Sequence, residues 1–385
     1  MRYKNQSMKI QKLQLVIFTL ILAGSATAQN PRLSQIINAP MLANPALTGR
    51  FDGQARVGGL YSWQKSDFAE MPHIHVFSDI KLGKYRTYGD EPIIMPNEKN
   101  KAVKSGPEAK DEITKPRIPK GYWALGLSYY RYGDGNSPLQ AQFISGSVAR
   151  HFYFKRNRYF GVGGQWTYAD GNLDERRGTA YDREISGGTF RYPQGVPSNR
   201  VSNKSYLDFN IGAYYGKTTE AVAFEIGGAM YHMFYPKNDI LDKDDETELR
   251  HRVTAHSVLR LRLNDKWGFV QKNLYWQEGL YLRSKTFNDS LNIVDFWSGV
   301  EVYKTNPATL FNLNFGLYTR SFRTVMPMLN VNLGRVATIR LTYEQPLNTK
   351  KFNAYNARRA EASVILTHKR NTTPGTRFYN KINFW

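Results

Sequence analysis

Apolar and polar residues alternate at a spacing of two along most of this chain, most clearly between residues 310 and 343. In the first of three segments there, Phe311, Leu313, Phe315 and Leu317 share one face, with Asn312, Asn314 and Gly316 on the other. In the second, Val325, Pro327, Leu329, Val331 and Leu333 oppose Thr324, Met326, Met328, Asn330 and Asn332. In the third, Ala337, Ile339, Leu341 and Tyr343 oppose Thr338, Arg340, Thr342 and Glu344. A period of two is that of a strand. The short joins at 320–323 and Gly334 make the stretch an antiparallel meander with one apolar and one polar face.

The same pattern predicts strands at 54–64, 72–82, 121–131, 139–154, 158–169, 204–215, 220–232, 250–264, 266–283, 291–302, 309–319, 324–333, 335–344 and 357–368. These are about fourteen, an even number, as bacterial single-chain barrels require. Phe160, Val162, Gly164, Trp166 and Tyr168 are expected to face out, with Tyr159, Gly161, Gly163, Gln165 and Thr167 facing in. Val253, Ala255, Ser257, Leu259, Leu261 and Leu263 likewise oppose Arg252, Thr254, His256, Val258, Arg260 and Arg262.

Loop lengths separate a barrel from a soluble sandwich. If the first strand runs outward, the outer joins are 65–71, 132–138, 170–203, 233–249, 284–290, 320–323 and 345–356. The periplasmic joins are 83–120, 155–157, 216–219, Asp265, 303–308 and Gly334, all but the first six residues or fewer. A sandwich has no reason for that parity, whereas a transmembrane barrel does. The expected fold is therefore all-β: a transmembrane antiparallel up-and-down β-barrel in the outer membrane. Pro327 fits an inner strand badly, having no N–H to donate, and a bulge near the outer rim is expected to absorb it.

Composition agrees. Mean hydropathy is −0.54, which excludes a bundle of membrane helices. Yet 14% of residues are aromatic, 25 of them Tyr, the bulk signature of a membrane barrel. The formal charge is +21, but Lys and Arg are spread along the chain and no nucleic-acid motif is present, so a nucleic-acid partner is not expected. The absence of cysteine removes both a disulfide framework and a lipid-modified cysteine.

Residues 1–28 read as a secretory signal peptide: Arg2, Lys4, Lys9 and Lys12, an apolar run from Leu13 to Ala23, then Ala26-Thr27-Ala28 before Gln29. That run is too short to span a bilayer as a helix, for which about 20 apolar residues are needed. Residues 29–53 form a lead-in with too many Pro and Asn for a helix or inner strand, yet too apolar (Ile36, Ile37, Met41, Leu42) for a free linker. A segment packed beneath the barrel, plug-like or partner-binding, is expected.

Within the lead-in stand Gln29-Asn30-Pro31-Arg32-Leu33-Ser34-Gln35 and Asn44-Pro45-Ala46-Leu47-Thr48-Gly49. This Q-[DN]-P-x-x-S-Q followed by N-P-A-x-x-G, directly after a signal peptide, resembles the N-terminal signature of PorP/SprF-type proteins. Tyr61-Ser62-Trp63-Gln64 is similar to the family's first strand with the residue order shifted, and Gly133-Asp134-Gly135 to its short loop after the third. The resemblance implies a non-enzymatic outer-membrane barrel of the type IX secretion and gliding motility machinery of Bacteroidetes-like bacteria. Such a barrel would bind or anchor a secreted adhesin or cargo C-terminal domain at the cell surface and contact periplasmic type IX components. Signature or partner-binding positions would be Gln29, Pro31, Ser34, Gln35, Asn44, Pro45, Ala46 and Gly49. The rival reading is a passive or substrate-specific porin with a basic lumen.

Residues 83–120 are Pro- and Lys-rich with almost no period, and parity hangs them in the periplasm as an insertion, disordered or docked on the same machinery. Phosphate-binding loops, paired zinc motifs and a nucleophile elbow are absent, so no cofactor, metal or catalytic residue is expected. His73 and His75 point to one side of a strand without an evident third ligand, as a polar lumen pair does. An enzyme reading would rest on Asp244 or Asp245 with His251, and the acidic run at 239–248 could hold calcium but lacks the Gly of an EF-hand loop.

Arg252, Arg260 and Arg262 on one strand and Arg340 on another are expected to line the lumen. Either they favour anionic guests or they pair with carboxylates such as Glu225, Glu301, Glu344 and Glu361. Basic residues outside the apolar band would meet lipopolysaccharide phosphates. The tail 369–385 ends in Asn383-Phe384-Trp385, similar to an outer-membrane insertion signal set apart from the last strand.

Overall fold

The structure, a computed structural model, describes residues 33, 36–51, 53–65, 70–82, 121–133, 139–155, 158–174, 201–219, 222–236, 249, 251–263, 273–284, 291–303, 311–333, 336–347 and 358–368. The signal peptide, Gln29, Pro31, Ser34, Gln35, the 83–120 insertion, the 239–248 run and the C-terminal tail lie outside the described residues.

Fourteen strands close into one antiparallel barrel, each paired with its neighbours in sequence. They are β1 Ala55–Lys65, β2 Glu70–Leu82, β3 Tyr122–Tyr132, β4 Leu139–Lys155, β5 Arg158–Asp174, β6 Val201–Thr218 and β7 Val222–Tyr231. The second half is β8 Arg252–Leu263, β9 Asn273–Ser284, β10 Leu291–Tyr303, β11 Phe311–Arg320, β12 Thr324–Leu333, β13 Ala337–Pro346 and β14 Arg358–His368. Closure runs the full length of β1, from Ala55↔His368 to Lys65↔Arg358. Both barrel termini thus share one end, called here the entry end. The β1–β2, β3–β4 and later odd-to-even joins occupy the far end.

Alternation places the side chains as the pattern predicts. On β3, Trp123, Leu125 and Leu127 are exposed outside while Ala124 and Tyr130 are buried inside. Exposures of 63% at Leu127 and 64% at Leu207 would be unfavourable in water for so many leucines on one continuous surface. Lipid is the solvent that fits them. Aromatic residues mark both rims of the band: Trp123 and Phe154 toward the entry end, Trp63, Tyr343 and Phe234 toward the far end.

β8 ends at Leu263 and β9 starts at Asn273; the join expected at Asp265 falls among residues 264–272, which lie outside the described residues. One expectation needs correction. Pro327 causes no bulge. β11 pairs with it normally (Leu317↔Pro327), whereas the β12–β13 ladder skips Met326 and Pro327 and resumes at Met328↔Thr342 in unchanged register. The missing donor lies on the side where the ladder opens.

The lead-in carries two 3-10 turns, Ile36–Asn38 and Pro45–Leu47, on either side of one helical turn, Pro40–Ala43. These residues do not sit beneath the barrel; they fill its lumen, where Met41, Ala43, Ala46 and Leu47 are almost fully buried.

The lipid-facing assignment is testable at Leu127. Leu127→Arg puts a charge mid-strand on the outer face and is expected to cost about 2–4 kcal/mol if lipid covers it. The measure is the denaturant midpoint for unfolding from vesicles, with Leu127→Ile as control. An unchanged midpoint would mean that water or protein covers this face.

Candidate functional site

The lumen is where chemistry-bearing side chains converge, and its centre is the plug. Asn44 is fully buried and caps the second 3-10 turn: its Oδ1 accepts from Ala46 N–H at 2.9 Å. Its Nδ2 donates to the carbonyls of Ala213 and Gly228, each at 3.0 Å, which are register partners across β6 and β7. One side chain therefore ties the plug to two strands. Room for it comes from glycine: a Cβ at Gly212 would collide with Asn44 Oδ1, and one at Gly163 would lie 2.7 Å from the Ala46 backbone.

Four residues on, Thr48 Oγ1 lies 2.8 Å from Ser147 Oγ and 2.9 Å from Pro45 O. Thr48 O is 2.7 Å from His151 Nε2, whose Nδ1 is 2.6 Å from the Tyr214 hydroxyl. A carbonyl can only accept, so Nε2 carries the proton and Nδ1 accepts from Tyr214. His151 thus bridges plug and wall.

Gly49 follows in a left-handed conformation (φ +75°) that favours glycine. Its N–H donates to Asp79 Oδ2 at 2.7 Å and its carbonyl accepts from Tyr122 at 3.0 Å. Asp79 is held in turn by a two-pronged bond from Arg56, at 2.9 and 2.7 Å. Beside it Arg50 pairs with Glu225 at 2.9 Å and lies over the Tyr159 ring. A guanidinium stays protonated in proteins, so Arg50 stands in the lumen as a fixed cation. Lys81 donates to Phe51 O, where the chain leaves for β1.

The upper half of the plug is held by the wall donating to plug carbonyls. Tyr231 donates to Leu42 O at 2.9 Å and Thr254 to Ala43 O at 3.1 Å. Arg340 donates to Asn38 Oδ1, and Arg320 to Leu33 O at 2.6 Å. Arg320 and Arg359 share Glu344, at 3.6 and 3.3 Å.

Asn44, Pro45, Ala46 and Gly49 are thus brought together in the lumen; Asn44 and Gly49 bond to the barrel's strands, while Pro45 and Ala46 bond to Thr48 and Asn44 within the lead-in. Arg252, Arg260 and Arg340 face the lumen and are buried; Arg262, near the entry end of β8, is exposed. Arg252 lies over the Tyr231 ring at 4.0 Å. Carboxylates do meet lumen cations, but Glu225 pairs with the plug's own Arg50, which charge reading along the wall did not anticipate. The Glu301 side chain lies outside the described residues.

Asp79, His151, Tyr122 and Gly212 were not singled out from the sequence, and Gly163 was placed on the inner face without a role. The available signal was glycine on the inner face of adjacent strands, at Gly161, Gly163, Gly212, Gly216 and Gly227. His73 meets the Tyr130 hydroxyl at 2.7 Å, while His75 is fully buried and stacks on Phe77. Among the described residues no three His, Asp or Glu side chains converge as a metal site. His251 holds a loop by contacting His232 O at 2.8 Å; Asp244 and Asp245 lie outside the described residues.

Comparison with known proteins follows this geometry. A family model described as type IX secretion system membrane protein PorP/SprF matches residues 25–366. No curated protein matches the chain. Among solved structures it is similar to the translocator domain of the autotransporter NalP from Neisseria meningitidis, at 10% identity and TM-score 0.34, covering 94% of this chain and 95% of that one. It is also similar to the toluene transporter TodX of P. putida, at 10% identity and TM-score 0.38, covering 86% and 92%. BamA from Haemophilus ducreyi lacking POTRA domains 1–3 matches at 8% identity and TM-score 0.38, covering 82% and 70%. At scores this low the architecture rests on the strand pairing itself.

Two variants test the plug. Gly163→Leu leaves no room for Ala46 and is expected to displace the lead-in, giving conductance steps in planar bilayers where the parent barrel shows none. Breaking the buried pair by Glu225→Met is expected to cost about 3–5 kcal/mol, much of it recovered in the Arg50→Met/Glu225→Met double variant. The measure is thermal unfolding in detergent. A steadily conducting parent, or a silent Glu225→Met, would contradict the packing described.

Proposed function

We propose that this chain, which belongs to the PorP/SprF family of type IX secretion system membrane proteins, works as a non-enzymatic anchor in the outer membrane. In this reading its far end holds a secreted adhesin or cargo C-terminal domain at the cell surface. Its entry end and the 83–120 insertion contact periplasmic secretion components.

The observation that supports an anchor over a pore is the plugged lumen. A porin needs a continuous polar path, whereas here Asn44, Thr48, Gly49 and Arg50 occupy that path and are bonded to β2, β4, β6 and β7. The charges that could attract an anionic solute are engaged with the plug or one another, as Arg50–Glu225 and Arg320–Glu344–Arg359 illustrate. A filled cylinder suits holding a partner better than passing a solute.

The far rim offers a fixed contact point. Ser321 and Phe322 both have positive φ, +48° and +55°, in the tight turn between β11 and β12, and Phe322 is exposed. Non-glycine residues in that conformation are strained, a feature that clusters at functional sites.

The test is affinity purification of the full chain from native outer membrane. Recovery of a large exported protein together with periplasmic secretion components is expected, with the exported protein lost on Phe322→Asp while the barrel stays folded. Recovery of the barrel alone would count against the anchor. Deleting residues 90–115 and finding secretion and assembly unchanged would remove the periplasmic role of the insertion.

A further inference from the structure

We propose that the outer surface of β3 to β7 at the entry end is a binding site for a net-anionic phospholipid. The alternation that puts Ile144 on the lipid side of β4 puts Arg150 there too, and it does the same for Arg158 on β5 and Lys217 on β6. Arg158 opens β5 and Lys217 is the last residue but one of β6, so both stand at the entry rim. They are register partners, two cations directly opposite on neighbouring strands. Like charges so placed repel. Among the described residues no carboxylate pairs with either of them, or with Arg150. An anion bridging the pair removes the repulsion. The charge is also confined to one sector. Among the described residues the other strands carry no Lys or Arg on this outer rim, where Val57, Leu82, Leu333 and Leu366 stand instead.

Between the cations the surface is aromatic. The Phe160 ring lies 6.2 Å from Phe152 and 6.4 Å from Phe154, and Tyr215 lies 6.0 Å from Phe224. Arg150 lies 5.3 Å from the Trp123 ring and 5.4 Å from that of Phe152. Its register partner Val162 is four residues from Arg158, roughly 13 Å along β5 at a strand's rise, too far for all three cations to share one phosphate. The Arg158–Lys217 pair is therefore the phosphate clamp, and Arg150 lies deeper, where ester carbonyls accept from a guanidinium. Acyl chains then run over the aromatic surface into the apolar band. A zwitterionic lipid would bring its own ammonium against the pair, whereas a net-anionic headgroup does not. Loop parity places the entry end toward the periplasm, in the phospholipid leaflet, so phospholipid rather than lipid A is the occupant.

The test is native mass spectrometry of the full chain in detergent, offered an equimolar mixture of phosphatidylglycerol, phosphatidylethanolamine and lipid A. The variants are Arg158→Gln/Lys217→Gln, the charge-preserving swap Arg158→Lys/Lys217→Arg, and Arg262→Gln, which removes a cation from the inner side of β8 at the same end. Heat-dependent gel mobility confirms that each is a folded barrel. The parent is expected to retain phosphatidylglycerol in preference to the other two. Arg158→Gln/Lys217→Gln is expected to lower that retention by roughly fivefold for each cation removed. The swap and Arg262→Gln are expected to keep it. Equal retention of phosphatidylglycerol and phosphatidylethanolamine by the parent would mean that the cations meet only water, and overturns the site. So does a preference for lipid A, or retention unchanged in Arg158→Gln/Lys217→Gln. A loss as large in Arg262→Gln would assign the effect to the charge of the whole end and overturns it too. No exported protein enters this measurement, so the lipid site and the anchor reading fail separately.

Discussion

In hydrocarbon no water is available to a backbone N–H or carbonyl, so a sheet that crosses it must leave no open edge. The eleven-residue pairing of β1 with β14 meets that demand, and the rest of the molecule is arranged around it. With the edge closed, each strand has only two environments, lipid and lumen, and neighbouring residues must alternate between them. Pro327 shows how far the rule bends. A proline removes a donor, which is tolerable only where the facing ladder is already open, and the β12–β13 pairing skips that position while keeping register on both sides.

This is also why the strands were legible and the plug was not. All fourteen appear close to where the period places them, because lipid and lumen each impose their polarity on every second residue. The lead-in has no period to read. Its structure comes from single contacts far apart in sequence: Asn44 reaches carbonyls 169 and 184 residues away. Asn44 and Gly49 stood out only through a family resemblance, which says that residues matter without saying what they touch. The glycines facing the lumen on β5, β6 and β7 were visible as letters but carried no meaning until another segment was seen to occupy the space a side chain would take.

Charge reading posed a choice between an anion path and a wall that neutralises itself, and the structure supplies a third arrangement. Asp79 and Glu225 bind groups of the plug, Gly49 N–H and Arg50, and Asp79 binds the wall cation Arg56 as well. The compensation of the lumen is therefore divided between two parts of the chain. Removing the plug would leave Glu225 facing the lumen without Arg50, a more costly state than either a dry apolar wall or a fully paired one.

That division bears on assembly. Phe51 is followed within a few residues by β1, so the plug is tethered at the entry end before any strand pairs. Asn44 needs both β6 and β7 in register to find its two carbonyls, and Gly49 needs β2 and β3 to find Asp79 and Tyr122. Until those strands are set, the plug has few partners; once β14 has closed on β1, a segment with buried Asn, Thr and Arg would have to enter through a sealed rim. The order with the fewest unsatisfied groups at each step has β2 to β8 form around the lead-in and β14 close last. Among the described contacts, those of residues 42–50 fall on β2 to β8, whereas those of Leu33 and Asn38 fall on β11 and β13.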